Sequence, residues 1–419
     1  MSEEVKRRKL RGSSSPWILG SVMFLTMFST VMIASANISS QDAVLTNVLS
    51  SVVKQVIFIT IGFTGYFVAS RLFSFKLVRS LIGIAMIIEL GLLIATRMFG
   101  STGGAYAWIR LPFGVTIQPS EFAKVLIILI VCNYMCDIKN KKIKSAWTLI
   151  QTPVLAALIA TGIIIVYQHD FGSGFALMAI GSICFLLPEN KLYKKWQKGL
   201  LILMILIVAA TMFLMSKGFE EFITSDGIRE WMNSDGLFAN IFSRVAYQFY
   251  RFISAKDPLW DRFGYSQELL NSLLGIARGN IRGVGLGNSI QKFGYLASAD
   301  ADYIFPVIVE ELGLLGIACV FVPYTILFVV LIRYAMKVKT EKEKVLLVGT
   351  VSYLFVHMFL NIGGVSALIP LTGVPLILVS RGGSSLITVL TTLGMCQNVI
   401  RKHNTKELED AYNSWETQE

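Results

Sequence analysis

Apolar residues gather in runs of about 20, the length a helix needs to cross the roughly 30 Å hydrocarbon core of a bilayer. Ten such runs lie near residues 17–36, 50–71, 80–96, 120–136, 147–167, 174–188, 199–215, 306–334, 344–362 and 383–400. The pattern predicts an all-α, polytopic membrane protein with about ten transmembrane helices. One long polar interruption, from Ser216 to Ala301, separates the seventh and eighth runs. Inside it Leu237, Ile241, Val245 and Phe249, and then Leu269, Leu270, Leu273, Leu274 and Ile276, recur at helical spacing. Helices lying against the membrane surface are the expectation there. The predicted organisation is a basic tail over 1–15, helices one to seven over 16–215, a large extracellular loop over 216–301, helices eight to ten over 302–402, and a tail from His403 over 403–419, read as a solvated end.

Charge orients these elements. Lys and Arg collect in cytoplasmic loops, and every even-numbered loop is basic: Arg71, Lys76 and Arg79; Lys139, Lys141, Lys142 and Lys144; Lys191, Lys194, Lys195 and Lys198; Lys337, Lys339, Lys342 and Lys344. The first loop, Ser39 to Ser51, and the fifth, Gln168 to Ser173, carry none. Both termini are therefore expected in the cytoplasm and the long loop outside. The first run follows Lys6, Arg7, Arg8, Lys9 and Arg11 but exceeds the core of about 7–15 residues of a signal peptide, so it is read as a retained span.

Composition agrees. Of 419 residues 54% are hydrophobic and 16% charged, far from the balance of soluble domains. The net charge of +11 lies in short clusters between apolar runs, which is loop orientation and not a nucleic-acid footprint. Cys132, Cys136, Cys184, Cys319 and Cys396 sit within or at the ends of apolar stretches without a Cys-x-x-Cys pair, so neither a disulfide nor a metal site is expected.

Polar groups within or beside the spans are the candidates for chemistry, because charge in lipid is costly and faces protein, a partner or a cavity. Glu121 and Lys124 are three apart at the start of the fourth span and share a helix face; an internal salt bridge and a charged cavity wall are both open readings. Glu89 and His357 read as packing contacts. Asp300, Asp302, Glu310 and Glu311 crowd the point where the long loop re-enters the membrane. An aspartate there either caps the helix or serves as a partly desolvated general base. RGNIRGVGLGNSIQK, from Arg278 to Lys292, mixes glycines with cations and suits a phosphate cradle. The Gly-, Pro- and Ser-rich stretch from Asn361 to Ser385 cannot be regular helix throughout, and irregular backbone at membrane depth lines a cavity or is enclosed by protein.

Together these segments resemble the SEDS family of bacterial cell-wall polymerases, the group of FtsW, RodA and SpoVE, with the FtsW-like branch favoured. The matching pieces are GGAYAWI at 103–109, QPSEFAK at 118–124, QHDFGSG at 168–174, GYSQELLNSLLGIARGN at 264–280, RGVGLGNSIQK at 282–292, DYIF and EELG within 302–313, and NIGG through RGGSS at 361–385. The resemblance implies a peptidoglycan glycosyltransferase in the bacterial cytoplasmic membrane. It would polymerise lipid II into β-1,4-linked strands outside, alongside a class B penicillin-binding protein and other divisome or elongasome membrane proteins. Asp302 matches the essential carboxylate that ends a Pro-Glu-x-His-Thr-Asp stretch; Ala297, Ser298, Asp300 and Ala301 depart from it. Ala107 stands where a basic residue is common, and Arg381 where Tyr or Gln is common.

The implied mechanism makes Asp302 the base that deprotonates the acceptor 4-hydroxyl. The pyrophosphate of an undecaprenyl-linked glycan would be held by cations among Arg110, Lys124, Arg278, Arg282, Lys292 and Arg381, with a divalent ion, Mg or Mn, as a further candidate. Trp108, Glu121, Gln267, Ser272 and Ser380 complete the expected substrate-binding set. Two rival functions share the same motifs: a lipid II flippase, and a non-catalytic scaffold for the penicillin-binding protein.

Overall fold

The computed structural model describes residues 12–38, 44–101, 104–111, 116–136, 146–214 and 250–416. The basic tail, the lysines at 139–144, Gly103 and the Leu237 to Phe249 repeat lie outside the described residues. Eleven helices are labelled here: α1 Pro16–Ala36, α2 Val44–Leu72, α3 Phe75–Ala95, α4 Pro119–Tyr134, α5 Trp147–Gly162, α6 Phe171–Leu186, α7 Lys194–Leu214, α8 Gln267–Gly279, α9 Ile304–Lys337, α10 Glu341–Val365 and α11 Gly383–Glu416. All but α8 coincide with a predicted span. By length and composition seven of them, α1, α2, α3, α5, α9, α10 and α11, can cross a membrane.

The 16-residue helices α4 and α6 span only about 24 Å at 1.5 Å per residue, whereas α5, also 16 residues, is carried on to Tyr167 by a π-helical turn. Neighbours shield α4 and α6. Twelve residues of α4 are buried, the mark of a helix enclosed on every side, and α3, α5, α6 and α10 pack round it. α2 packs along α11 at a spacing that side chains would block: a Cβ on Gly394 would strike the backbone of Tyr66, and small residues of this kind let membrane helices approach closely.

Two helices differ from their predicted form. α9 begins at Ile304 and runs to Lys337, but breaks at Gly313, whose φ of 57° is left-handed. The loop preceding α9 docks into that break, with Leu314 N donating to Ile281 O at 3.0 Å and Val284 and Gly285 N donating to the carbonyls of Glu310 and Glu311 at 2.9 Å. α11 does not stop near residue 400 but continues as a charged helix to Glu416, because 401–416 contains no Gly or Pro and pairs His403 with Glu407 at i,i+4. The predicted solvated tail is thus helical through Glu416. Its first turns hold the N-terminal segment: Gly12 N donates to Thr405 Oγ1 at 3.0 Å and Asn404 Nδ2 to Ser13 O at 2.8 Å, so the two terminal segments lie on one side of the bundle.

Candidate active site

Three motifs distant in sequence meet at one end of the bundle. Gln118, ahead of α4, accepts from Glu121 N on its carbonyl at 3.2 Å; its own N–H donates to Ser384 Oγ at 3.0 Å, and its side-chain amide donates to Asp170 Oδ2 at 2.9 Å and Ser173 Oγ at 3.1 Å. Asp170 also caps α6, accepting from Ser173 N at 3.0 Å. The starts of α4, α6 and α11 are thereby fixed to one another.

Just inside α4, Lys124 and Glu121 form the predicted pair at 2.6 Å, fully enclosed. It is larger than a pair. Lys124 Nζ also lies 3.0 Å from His357 Nε2, and Tyr353 OH donates to Glu121 Oε2 at 2.5 Å. With the ammonium donating to Nε2, the imidazole proton sits on Nδ1, facing Pro375 O at 3.4 Å. His357 is therefore part of a four-member buried network, which satisfies charges that would be costly alone. Glu89 departs from its expected role as a satisfied contact: it is buried, and its Oε1 has no partner among the described residues.

The second cluster surrounds Asp302 in the turn before α9. Ala301 and Tyr303 N both donate to Ser298 O, at 3.0 and 3.2 Å. The helix N-cap is Tyr303, without a side-chain cap, so neither Asp300 nor Asp302 plays the capping role. Asn361 Nδ2 holds the Asp302 carbonyl at 2.8 Å and Val374 O at 2.9 Å. Gly373, with φ of 68°, brings bare backbone against the Asp302 carboxylate. Burial first, then the negative charge of Asp170, push the Asp302 carboxyl up to about 7; Arg251 opposes them, and Glu268 and Asp300 add to the rise. Tyr303 donates to Glu268 Oε2 at 2.9 Å, and burial together with that anion raises its phenol above the ordinary range.

Arg251, Asp170 and Glu268 were not singled out in the sequence. Arg251 is half-buried beside Asp302, and its Nη1 donates to Leu371 O at 2.9 Å. QHDFGSG and GYSQELL contained Asp170 and Glu268, but only the fold turns them toward one carboxylate. Arg381 meets Asp300 at 3.0 Å.

The expected phosphate cradle is already filled. Its amides converge on the chain's own carboxylates: Ile290 N and Gln291 N donate to Glu310 at 3.1 and 3.4 Å, Ser289 N to Glu311 at 3.4 Å, and Ser289 Oγ to Glu310 at 2.5 Å. The cations follow. Arg278 pairs with Glu310 at 3.1 Å and Lys292 with Glu311 at 3.0 Å. Lys292 is enclosed, with Gly287 O at 2.7 Å and Ser35 Oγ at 3.4 Å as its further partners. All three ammonium protons are taken, so Lys292 staples the loop to α1 and α9 and has none left for a diphosphate. Ser272 and Ser380 are likewise spent on backbone carbonyls, of Val365 at 2.7 Å and Leu376 at 2.9 Å. Arg110, on a short antiparallel hairpin (β1 Ile109–Arg110, β2 Thr116–Ile117), Arg282 and Gln267 are exposed, and Trp108 is half-buried.

Residues 16–405 match the family model described as "Cell cycle protein", that of FtsW, RodA and SpoVE. The chain is 33% identical over 316 residues to the probable peptidoglycan glycosyltransferase FtsW of Bacillus subtilis, covering 73% of this chain and 70% of that one. It is 29% identical to the stage V sporulation protein E of the same organism over 302 residues, covering 71% and 72%. Among solved structures, a chain from a study of polymerization and crosslinking by a peptidoglycan synthase complex matches with a TM-score of 0.65 at 21% identity, covering 92% of this chain and 98% of that one. The rod shape determining protein RodA of Thermus thermophilus matches with a TM-score of 0.59 at 19% identity, covering 93% and 97%. With its ordered motifs, its helical membrane bundle and a family match running from the first helix into the last, this chain belongs to the FtsW/RodA/SpoVE family.

Proposed function

We propose that this protein is a peptidoglycan glycosyltransferase that polymerises lipid II at the outer face of the bacterial cytoplasmic membrane, with both termini inside and a division-type role. The observation that carries the reading is Asp302: a half-buried carboxylate at the mouth of the bundle, titrating near 7, with Arg251 beside it. A base with a pKa near the working pH accepts a hydroxyl proton most effectively. The acceptor 4-hydroxyl gives its proton to Asp302 as its oxygen bonds to the donor's anomeric carbon. The bond from that carbon to the undecaprenyl diphosphate breaks, and inversion yields the β-1,4 linkage. Arg251, with Arg110, Arg282 and the exposed part of Arg278, supplies positive charge for the departing diphosphate. The enclosed Lys124 network acts behind them, fixing the loop through His357 and Pro375.

Among the described residues no three metal-ligating side chains converge into a cage. An ion such as magnesium or manganese that shares diphosphate oxygens would need only one or two carboxylates from the protein and would neutralise leaving-group charge; Asp302, committed to the hydroxyl proton, is not one of them. The peptidoglycan synthase complex named for one structural neighbour supports the partner that the family resemblance implies, a class B penicillin-binding protein that crosslinks the nascent strand. The deciding experiment incubates purified protein with labelled lipid II, with and without that partner. Glycan strands support the reading; transport without polymer, or polymer only from the partner, overturns it in favour of a flippase or a scaffold.

A further inference from the structure

Asp300 and Arg381, two positions where the chain departs from the family pattern, are bound to each other at two points. The carboxylate meets Arg381 Nη1 at 3.0 Å, and the backbone N–H of Arg381 donates to the Asp300 carbonyl at 2.8 Å. The contact extends in both directions. Asn37, at the end of α1, donates its side-chain amide to Asp300 Oδ2 at 3.0 Å and to Ile33 O at 2.8 Å, and Ser51 of α2 donates to Asn37 Oδ1 at 3.1 Å. The end of α1 and the segment entering α11 therefore converge on one buried carboxylate at the end of the extracellular loop, with α2 bracing Asn37 from behind.

Two residues further on, the Asp302 carbonyl is held by Asn361. The peptide 300–302 is tied at both ends, which leaves the Asp302 side chain little freedom except at its own torsions. We propose that the Asp300–Arg381 ion pair is a positioning clamp for Asp302, in which Arg381 fixes the turn and offsets part of the field that Asp300 imposes on the base. Asp300 is nearly enclosed while Arg381 is about half exposed, with side-chain exposures of 10% and 47%. The anion is thus the less screened partner, and its effect on Asp302 depends on Arg381 staying in place. Both act through Asp302 and are positioning residues.

The proposal rests on Asp302 being the base, and the test separates the two. The charged and titratable groups facing Asp302 are Asp170 from α6, Arg251 and Glu268 from the extracellular segment, Asp300 from the same turn, and the Tyr303 phenol. Changing only the clamp leaves the others in place. Rates of lipid II polymerisation by the full chain, with its transpeptidase partner, are measured from pH 5.5 to 9 for wild type, Arg381→Gln, Asp300→Asn, the double variant and Asp302→Asn, and each protein's melting temperature in detergent is recorded. Arg381→Gln uncovers an anion and moves the acid limb to higher pH, by roughly half to one unit. Asp300→Asn removes the anion and moves the limb down. The double variant, with both charges gone, returns close to the wild-type limb while keeping a lowered maximal rate. A purely structural pair would lower rate and melting temperature together without moving the limb in opposite directions, and that result overturns the clamp. If Asp302→Asn itself polymerises, the base assignment fails; if it is inactive and neither clamp variant moves the limb, the clamp alone fails.

Discussion

A base held near neutral pH by burial weakens the fold that holds it, and Asp302→Asn measures by how much. In the unfolded chain the carboxyl titrates near 3.8, in the folded protein near 7. The folded state therefore binds the proton more tightly. Stability associated with this group is fully present below pH 3.8, falls as pH rises through the interval, and is lost above 7. Three units at about 1.36 kcal/mol each give a penalty of about 4 kcal/mol at pH 8, an upper figure because the group is only half-buried. Asparagine cannot ionise, so Asp302→Asn removes the penalty. It is expected to abolish polymerisation while raising the melting temperature by several degrees at pH 8, with the gap closing as the pH is lowered toward 4. Thermal unfolding in detergent at pH 4, 6 and 8, beside a lipid II polymerisation assay, tests both halves. A variant equally shifted at every pH, or destabilised at pH 8, would refute the argument from burial; retained polymer would refute the assignment of the base.

Other consequences follow from the same geometry. Arg251→Ala removes the cation that opposes the rise in the Asp302 pKa, so the acid limb of the pH–rate profile moves upward and the rate at pH 7 falls. Glu311→Gln strands the Lys292 ammonium in an enclosed site, at a cost of roughly 3–5 kcal/mol, read as a loss of folded protein on fluorescence-detected gel filtration. Arg282→Ala, at an exposed cation, raises the KM for lipid II and leaves the melting temperature unchanged. Gly283→Ala forces a side chain into a left-handed conformation, with φ of 73°, against the Glu311 backbone; it costs roughly 1–3 kcal/mol and lowers the melting temperature without moving the pH limb.

What could be read from the sequence was what repeats along it. Runs of about 20 apolar residues have one stable outcome in lipid, so each predicted span coincides with a helix. Glu121 and Lys124 were paired correctly because three residues on a helix is a fixed geometry. Asp302, Asp300 and Arg381 stood out through acid density and motif, but the groups that surround Asp302 failed to appear for a physical reason: they reach it by contacts between residues dozens to hundreds of positions apart. Asp170 and Arg251 had no local signature, since a helix cap and a loop arginine look the same wherever they face. The glycine-rich cradle was recognised as an anion site, but its anion proved to be Glu310 and Glu311, supplied 20 residues downstream by a helix that Gly313 breaks to receive it.

The two buried clusters are joined by one irregular segment, residues 366–382. Leu371 O receives Arg251, bare backbone at Gly373 faces Asp302, Val374 O takes Asn361, Pro375 O faces His357, and Arg381 reaches Asp300. A regular helix would have spent those carbonyls on its own ladder and left none for side chains from α10 and the segment preceding α8. The Gly- and Pro-rich composition is thus what makes the segment usable as a template: it releases backbone acceptors in membrane-depth protein, where any unpaired acceptor is costly, and so draws polar side chains to it. The inner network then has a role that needs no contact with substrate. By holding His357 against Pro375, Lys124 and Glu121 fix the same segment that shapes the surroundings of Asp302, so a change at the buried pair reaches the Asp302 carboxylate through the backbone of residues 373–375.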